Sequence, residues 1–512
     1  MSSILTNNSA MVALQTLQGI NKNLGTIQNE ISTGKSVANA KDNAAVWSIS
    51  KVMESDVKGF SGISDSLSLG NSTISVGRQA SETVTGLLTE IKGKIVAAQE
   101  ENVDRDKIQT DITALRDQIS SVVGAAQFNG MNLIKGTDNM NILSSLDRSS
   151  NGNVRASNIT VSRQDLSTDT GTYGTGASLA SNAIVQNSAT AVASAGETAD
   201  VTFAASWAAA DTATLSVAGV DVSYTVQTGN TVTDIANQFA GQINALGLDG
   251  VSASNTAGVL TITSTRAFEG LAVTQASTTA GTGTSDITAV NGGAPSGSDT
   301  ASASSIRQRA EEIQFSTSAA VNEGDGYKVT VGTNSYNYIA GKGESMEDVA
   351  RGLKTAIDSG AAQGITTSVS QDTDTGQWSL NVDNDGTGSS SLSLSSTGNA
   401  GGAASGGLFG LDAIDVTTTA GADSALSNIE TMINRSIDAS AAFGSSQKRI
   451  EIQGEFVSKL SDALKSGIGS MVDADMEETS ARLQALQVQQ QLGVQALSIA
   501  NQSPQSILSL FR

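Results

Sequence analysis

The chain has 512 residues and a net charge of −21, and it contains neither histidine nor cysteine. It can therefore form no disulfide, no Cys/His zinc site and no Ser-His or Cys-His catalytic arrangement. The acidic balance disfavours nucleic-acid binding, and no run of 18 apolar residues predicts a membrane-spanning helix. We expect no enzyme, no metal and no cofactor. We also expect no cleaved signal peptide, because the N-terminus lacks a basic segment followed by an apolar run.

Apolar periodicity predicts three helices in the N-terminal part of the chain. In the first helix the apolar residues recur every three or four positions, and Gly34 follows as a C-cap. The second helix begins near Asn43 and carries a seven-residue repeat, which favours helix-on-helix packing. Its seam residues are Phe60, Ile63, Leu67, Ile74, Val84, Leu88, Ile91 and Ile95. The third helix carries Ile108 to Val122 and ends near the turn Asn129–Gly130.

The spacing of apolar residues also predicts a β-hairpin and a second helical part. Residues 141–170 contain two short alternating runs around Asn151–Gly152–Asn153, which predicts a β-hairpin. From Leu426 to the C-terminus the period is helical again, with Ile450, Val457, Leu464 and Met471 spaced by seven.

The middle of the chain contains an internal repeat. Residues 213–243 align with residues 327–357 at a constant offset of 114 and without a gap. Each copy, with the alternating runs after it, predicts the order strand, strand, helix, strand, strand. Thr231 and Ser345 stand at the expected N-caps of the two helices. We therefore predict two α+β domains of one kind.

Three motifs admit a functional interpretation, and each also has a simpler one. Gly34–Lys35–Ser36 ends like a phosphate-binding loop but lacks its first glycine and its preceding strand, so a turn is favoured. Residues 381–386 resemble the start of a calcium loop, but Leu392 replaces the final Glu, so a hairpin turn is favoured. The acidic residues between Asp473 and Glu478 favour a solvated helix start.

The two chain ends carry apolar stripes that are too sparse to hold an isolated helix. They predict segments that fold when they pair, either with each other or with another subunit. The candidate self-assembly residues are Ile4, Leu14, Leu17, Leu24, Ile27, Ile31, Leu483, Leu486, Leu492, Leu497, Ile499, Leu508 and Phe511.

Both ends resemble bacterial flagellin over residues 1–170 and 410–512. The N-terminal block includes STGK at 32–35 and AKDNAA at 40–45, where Asn43 replaces the family's usual second Asp. AQFNGMNLI at 126–134 is similar to the family's T-Q-F-N-G block. The C-terminal block from Ser480, which ends in SPQSILSLFR, looks like the ending of flagellins from alphaproteobacteria.

The resemblance implies a multidomain fold, with a coiled-coil or bundle of N- and C-terminal helices, a β-hairpin, and inserted central α+β domains with ββαββ-like repeats. The expected domains are residues 1–42 with 472–512 (inner filament layer), 43–175 with 410–471 (helical rod with hairpin), 176–300 (first variable outer domain) and 301–409 (second variable outer domain).

The resemblance also implies a structural subunit that polymerises into the extracellular flagellar filament used for swimming. The expected partners are further copies of the chain, the flagellar export apparatus and its chaperone, and the filament cap and hook-junction proteins. Nucleic acid and membrane insertion are not expected. Two alternatives stay open, a hook–filament junction protein and a filament subunit whose exposed insert acts in adhesion.

Some flagellins are sensed by an innate immune receptor through an Arg-containing helix face that precedes the T-Q-F-N-G block. The corresponding stretch here is LLTEIKGK at 87–94, which has no Arg and carries Glu90. An Arg contact is lost when Glu stands in its place. The resemblance therefore implies a receptor face of Leu88, Glu90, Ile91 and Asp111 that supports only weak activation.

Overall fold

The computed structural model describes residues 7–148, 153–186, 191–204, 206–278, 282–360 and 363–508. Seven α-helices lie within these ranges: α1 (Asn8–Thr33), α2 (Ala44–Ala98), α3 (Arg105–Ala125), α4 (Val232–Ala245), α5 (Met346–Ser359), α6 (Thr419–Val472) and α7 (Met476–Leu508). None of these described helices is both long and apolar enough to cross a membrane.

The described residues also contain twenty β-strands, each of which pairs antiparallel with a neighbour. The strands are β1 (Gln127–Phe128), β2 (Met131–Asn132), β3 (Met140–Arg148), β4 (Val154–Val161), β5 (Ala183–Val185), β6 (Ala191–Ala193), β7 (Glu197–Ala204), β8 (Thr212–Val217), β9 (Val220–Thr225), β10 (Val251–Thr256), β11 (Val259–Ser264), β12 (Leu271–Thr278), β13 (Thr284–Val290), β14 (Ala303–Ile306), β15 (Glu311–Phe315), β16 (Gly326–Val331), β17 (Asn334–Ile339), β18 (Ile365–Gln371), β19 (Trp378–Asn384) and β20 (Ser391–Asn399).

The chain divides into two compact units. The first unit consists of the described residues of Met1–Ile74, Met140–Val161 and Ser445–Arg512, and the second of those of Ser75–Asn139 and Ser162–Gly444. The helices α2 and α6 contribute residues to both units.

In the first unit the hairpin of β3 and β4 packs on α2. Gly59 and Gly70 leave the space for it, because a Cβ at Gly70 would lie 2.5 Å from Ile142. Gln453 of α6 donates a hydrogen bond to the carbonyl of Ser144 at 2.8 Å, so the hairpin also contacts α6. The two predicted strands therefore form, while Asn151 and Gly152 of the predicted turn lie outside the described residues.

The helical part of the second unit buries the predicted seam of α2. Val84, Leu88, Ile91 and Ile95 are all fully buried. The third helix ends at Ala125, a few residues earlier than predicted. Asn129 and Gly130 instead form the turn between β1 and β2, and both have positive φ angles. A helix cannot continue through that conformation.

The first insert domain comprises the described residues of 197–306. Its two four-stranded sheets have the orders β10-β11-β7-β13 and β14-β12-β8-β9. Residues of both sheets and the apolar face of α4 form one core. Phe203 and Phe239 stack at its centre, with ring centroids 5.4 Å apart.

The second insert domain comprises residues 183–193 and 311–399, as far as they are described. Its sheets have the orders β18-β19-β15-β5 and β17-β16-β20-β6. Tyr327, Tyr338 and Phe315 are fully buried in its core, together with the apolar face of α5.

The pairing of β5 and β6 changes the predicted domain boundaries. These strands lie inside the segment assigned to the first repeat, but β5 pairs with β15 and β6 pairs with β20. Conversely, β14 lies beyond the predicted boundary at residue 300 and pairs with β12 of the first insert domain. The first insert domain is therefore enclosed in sequence by the second.

The stability of the second insert domain depends on a glycine inside a helix. A Cβ at Gly352 of α5 would lie 2.4 Å from the buried Tyr338 ring. We expect Gly352→Ala to destabilise this domain by about 1–3 kcal/mol through overpacking. The matched control is Gly241→Ala in α4, where nothing lies within 4 Å and helix propensity should add about 0.5–1 kcal/mol of stability. Thermal unfolding, followed by fluorescence in backgrounds that keep Trp378 or Trp207, respectively, as the sole tryptophan, measures both changes. Equal effects would contradict the packing argument.

Candidate self-assembly surface

The helices α1 and α7 of the first unit form an antiparallel pair. Near one end, the Asn7 amide donates to the carbonyl of Ala500 at 2.8 Å. Near the middle, the Gln490 amide donates to the Asn21 side-chain oxygen at 2.7 Å. The chain ends are thus joined by polar contacts between residues that lie more than 460 positions apart.

A backbone junction fixes the other end of this helix pair. Gly34 ends α1 in the left-handed conformation, with a φ of 67°, and its carbonyl accepts a hydrogen bond from Ala474 at 3.0 Å. Both the backbone N–H and the hydroxyl of Ser36 donate to the carbonyl of Val472. The Gly-Lys-Ser motif is therefore a turn between helices that joins the two ends of the chain.

The two helices lie close together at a glycine. A Cβ at Gly493 of α7 would lie 3.2 Å from Leu17 of α1 and 3.7 Å from Ile20. Neither helix offers many charges that could repel or pair here. The described part of α1 carries only Lys22 and Glu30, and α7 carries no charged residue after Arg482. The contact is therefore apolar and uncharged over most of its length.

The predicted assembly residues divide into two groups. Ile27 is buried, and the half-buried residues are Leu17, Leu24, Ile31, Leu483, Leu486 and Leu497. Leu14, Leu492 and Ile499 point to solvent instead, with exposures of 46%, 58% and 69%. Ile4 and Phe511, and the side chain of Leu508, lie outside the described residues.

Further exposed apolar residues of α1 and α7 were not among the predicted assembly residues. Met11 and Val12 are 61% and 63% exposed, and Val488 and Val494 are more than half exposed. Met11 and Val12 lie beside the apolar stripe of α1, so a search for one helical period passes over them. Val12 and Ile499 line an open groove of about 810 Å³ between the two helices. This uncharged and largely apolar groove is therefore a candidate interaction surface.

The acidic and calcium-like motifs have structural partners. The Asp475 side chain accepts hydrogen bonds from the backbone N–H groups of Glu477 and Glu478, so it caps the start of α7. Asp383 of the calcium-like segment forms a bidentate ion pair with Arg309. Among the described residues, no group of three or more acidic side chains could hold a metal ion.

The predicted receptor face lies on α2 and α3, and the structure corrects it. Leu88 and Ile91 are fully buried in the helical core of the second unit, so neither can contact a receptor in this fold. Glu90 and Asp111 are exposed. Lys94 forms a salt bridge with Asp111. Of the four predicted residues, the two charged ones are therefore those that reach the surface.

Comparison with known proteins gives matches at both ends and over the full length. The model of the bacterial flagellin N-terminal helical region matches residues 4–139, and that of the C-terminal helical region matches residues 426–511. Flagellin A of Rhizobium meliloti is 30% identical over 522 residues, and flagellin A of Rhizobium meliloti strain 1021 is 31% identical over 521. Both alignments cover 100% of this chain and 100% of the relative.

Among solved structures, the chain is similar to a flagellar hook associated protein-3 from Legionella pneumophila. The match covers 82% of this chain and 98% of that one, with 10% identity and a TM-score of 0.31. A score this low does not establish a common fold.

The turn at Gly34 offers a test of the pairing. Nothing lies within 4 Å of a Cβ placed there, so Gly34→Ala adds only backbone strain, worth about 1–2 kcal/mol for the left-handed conformation. We expect faster amide hydrogen exchange along α1. Gly19→Ala, at a helical site that is equally open, should slow exchange by stabilising the helix by about 0.5–1 kcal/mol. Unchanged exchange in the Gly34 variant would show that this turn does not hold the pair.

Proposed function

Because the chain belongs to the bacterial flagellin family, whose members are structural subunits of the extracellular flagellar filament, we propose that it polymerises through α1 and α7. The filament that results is the one used for swimming. The observation that carries this proposal is the exposed, uncharged apolar surface that the paired terminal helices retain.

The energetics favour a further copy of the chain as the occupant of this surface. Full burial of a Leu or Ile side chain contributes about 1.5–3 kcal/mol. Within the described part of α1, Ile27 alone is buried. Fixing each backbone residue costs about 1–2 kcal/mol, so the pair gains much of its stability only when its outer faces are covered. Because each copy carries the same uncharged faces, stacked copies can cover one another without burying an unpaired charge.

We infer that the chain is the filament subunit rather than the junction protein. The relatives that align with it from end to end are flagellins, which supports this choice. The proposed partners beyond itself are the flagellar export apparatus and its chaperone, the filament cap and the hook-junction proteins. No observation on the insert domains favours adhesion over a passive role.

We also propose that the two insert domains are copies of one fold. The bounds of β8, β9 and α4 become those of β16, β17 and α5 when 114 is added. Local contacts follow the same offset. The Tyr224 hydroxyl donates to Asn230, and the Tyr338 hydroxyl donates to Glu344. Each helix also begins with a capping box, Thr231 with Asp234 in α4 and its counterpart in α5.

Two substitutions test the assembly surface. Leu492→Asp and Ile499→Asp together should abolish filament formation, since each charge would be buried unpaired at a contact between copies. The folded monomer should keep its stability within about 0.5 kcal/mol, because both side chains are exposed. Sedimentation after seeding with filament fragments measures assembly, and thermal unfolding measures the fold.

The matched control adds two acidic residues elsewhere. Ser223→Asp and Ser254→Asp lie at exposed positions of the first insert domain and should leave sedimentation unchanged. Normal pelleting of the double terminal variant would contradict the proposal. Equal loss in both variants would instead show that added charge alone blocks assembly.

We further propose that the chain activates the flagellin-sensing immune receptor only weakly. Glu90 is exposed on α2, and its carboxylate would repel a receptor surface that binds Arg through charge-assisted hydrogen bonds. Purified monomer applied to a reporter cell line should give little signal against an Arg-containing flagellin as the positive control. Potent activation would contradict this prediction.

A further inference from the structure

Two short chain segments connect the insert domains. The first insert domain is entered after β6 and left before β15, and both of these strands belong to the second. The connections are therefore residues 194–196 and 307–310. Two such linkers could act as a loose tether or as a fixed joint, and their contacts distinguish these possibilities.

The entering and leaving segments meet at the base of the first insert domain. Glu197 and Arg307 form an ion pair with an N–O distance of 3.4 Å. The backbone N–H of Arg307 also donates to the Asn291 side chain at 2.8 Å. Gly196 passes so close to the domain that a Cβ would lie 2.4 Å from the carbonyl oxygen of Ser264. These contacts hold the entering and leaving segments of the first insert domain next to each other.

The leaving segment then bonds to the first insert domain through its backbone. The N–H of Arg309 donates to the carbonyl of Arg266 at 2.9 Å, and the N–H of Ala310 donates to that of Ala267 at 3.0 Å. These acceptors lie in the connection between β11 and β12. The backbone of residues 309–310 is therefore attached to the first domain rather than free in solvent.

The side chains of the same segment bond to the second insert domain. Arg309 binds Asp383 of β19 through both oxygens, with Nε to Oδ1 at 2.8 Å and Nη2 to Oδ2 at 2.6 Å. The Gln308 amide donates to the Asn381 side chain at 2.7 Å. Planar bidentate pairs of this kind fix orientation as well as distance.

Burial makes this pair different from an ordinary surface ion pair. The Arg309 side chain is 12% exposed and that of Asp383 is 2% exposed. The Glu197–Arg307 pair beside it is far more open, at 32% and 47%. Solvent screens an open pair and leaves it little energy, whereas a buried bidentate pair resists separation because either charge alone would be costly.

We propose that residues 308–310 are a strap that fixes the orientation of the first insert domain on the second. The backbone of the strap is bonded to one domain and its side chains are bonded to the other. The two domains then move as one body, and Arg309 is the positioning residue. This proposal does not depend on filament assembly.

The absence of native cysteine permits a direct test on the full chain. Ser254→Cys in β10 and Ser395→Cys in β20, both at exposed positions, would carry one spin label in each insert domain. The distance distribution between the labels is measured in the unassembled protein. We expect a narrow distribution in the otherwise unchanged chain. A broad one would overturn the proposal directly.

Arg309→Lys is the main test variant, because it keeps a cation beside Asp383 but loses the fork. It should broaden the distribution roughly twofold, and adding Gln308→Ala should broaden it further. The matched control, Arg307→Gln, removes the open pair two residues away and should leave the distribution unchanged. In backgrounds that keep Trp207 or Trp378 as the sole tryptophan, fluorescence reports separately on the folding of the two domains. A narrow distribution in the Arg309→Lys, Gln308→Ala variant with both domains folded would overturn the strap.

Discussion

The fold depends on the backbone contact that brings the C-terminal part of the chain back to its N-terminal part. The backbone N–H of Ser36 bonds to the carbonyl of Val472 at 2.8 Å, so the 435 residues between them must leave and come back. The same topological condition recurs further in, where Glu197 meets Arg307 at the base of the first insert domain. Each added domain is therefore an insertion whose two ends are already close together. Such insertions leave the terminal helices unchanged, because loop closure costs grow only slowly with the length inserted.

Within the second unit, buried charges fix the second insert domain to α6. Arg435 of α6 lies 3.0 Å from Glu344, and it donates to the hydroxyl of Tyr338 at 2.8 Å. Burial raises the pKa of Tyr338, so this hydroxyl stays protonated and donates to Glu344 in turn. Lys354 and Asp358 form a second enclosed pair within α5, and Asn428 of α6 joins it by accepting from Lys354 and donating to Asp358, both at 3.0 Å. Buried pairs like these add little net stability, but they specify one arrangement because any other leaves a charge without its partner.

The sequence predicted the elements better than their partners. The seam of α2, the hairpin strands, and the N-caps Thr231 and Ser345 each follow from local rules that the folded chain obeys. The pairing of β5 and β6 could not be foreseen. Each is three residues long, which is too short for a period, and a strand's pattern states that it is half buried but not which sheet buries it. The predicted boundaries of the first variable outer domain therefore differ from the strand pairing in the structure.

Sequence periodicity was also insufficient to define the candidate self-assembly surface. Periodicity selected Leu492 and Ile499 together with Leu17 and Leu486, because all are apolar at helical spacing. It could not separate those that face the partner helix from those that face solvent, since both sets are apolar. It also passed over Met11 and Val12, which lie beside the stripe.

The distribution of aromatic residues explains why folding and assembly can be separate in one chain. The described parts of α1 and α7 contain no Phe, Trp or Tyr, whereas the insert domains centre their cores on such side chains. Aromatic side chains bury the largest apolar areas, so the insert domains complete their cores within a single chain. The terminal helices have only aliphatic side chains and leave many of these in solvent. We propose that copies of the chain bury this remaining apolar area between them. On this proposal the insert domains keep their fold whether or not the chain is assembled, whereas the terminal helices gain stability from each neighbour that covers them.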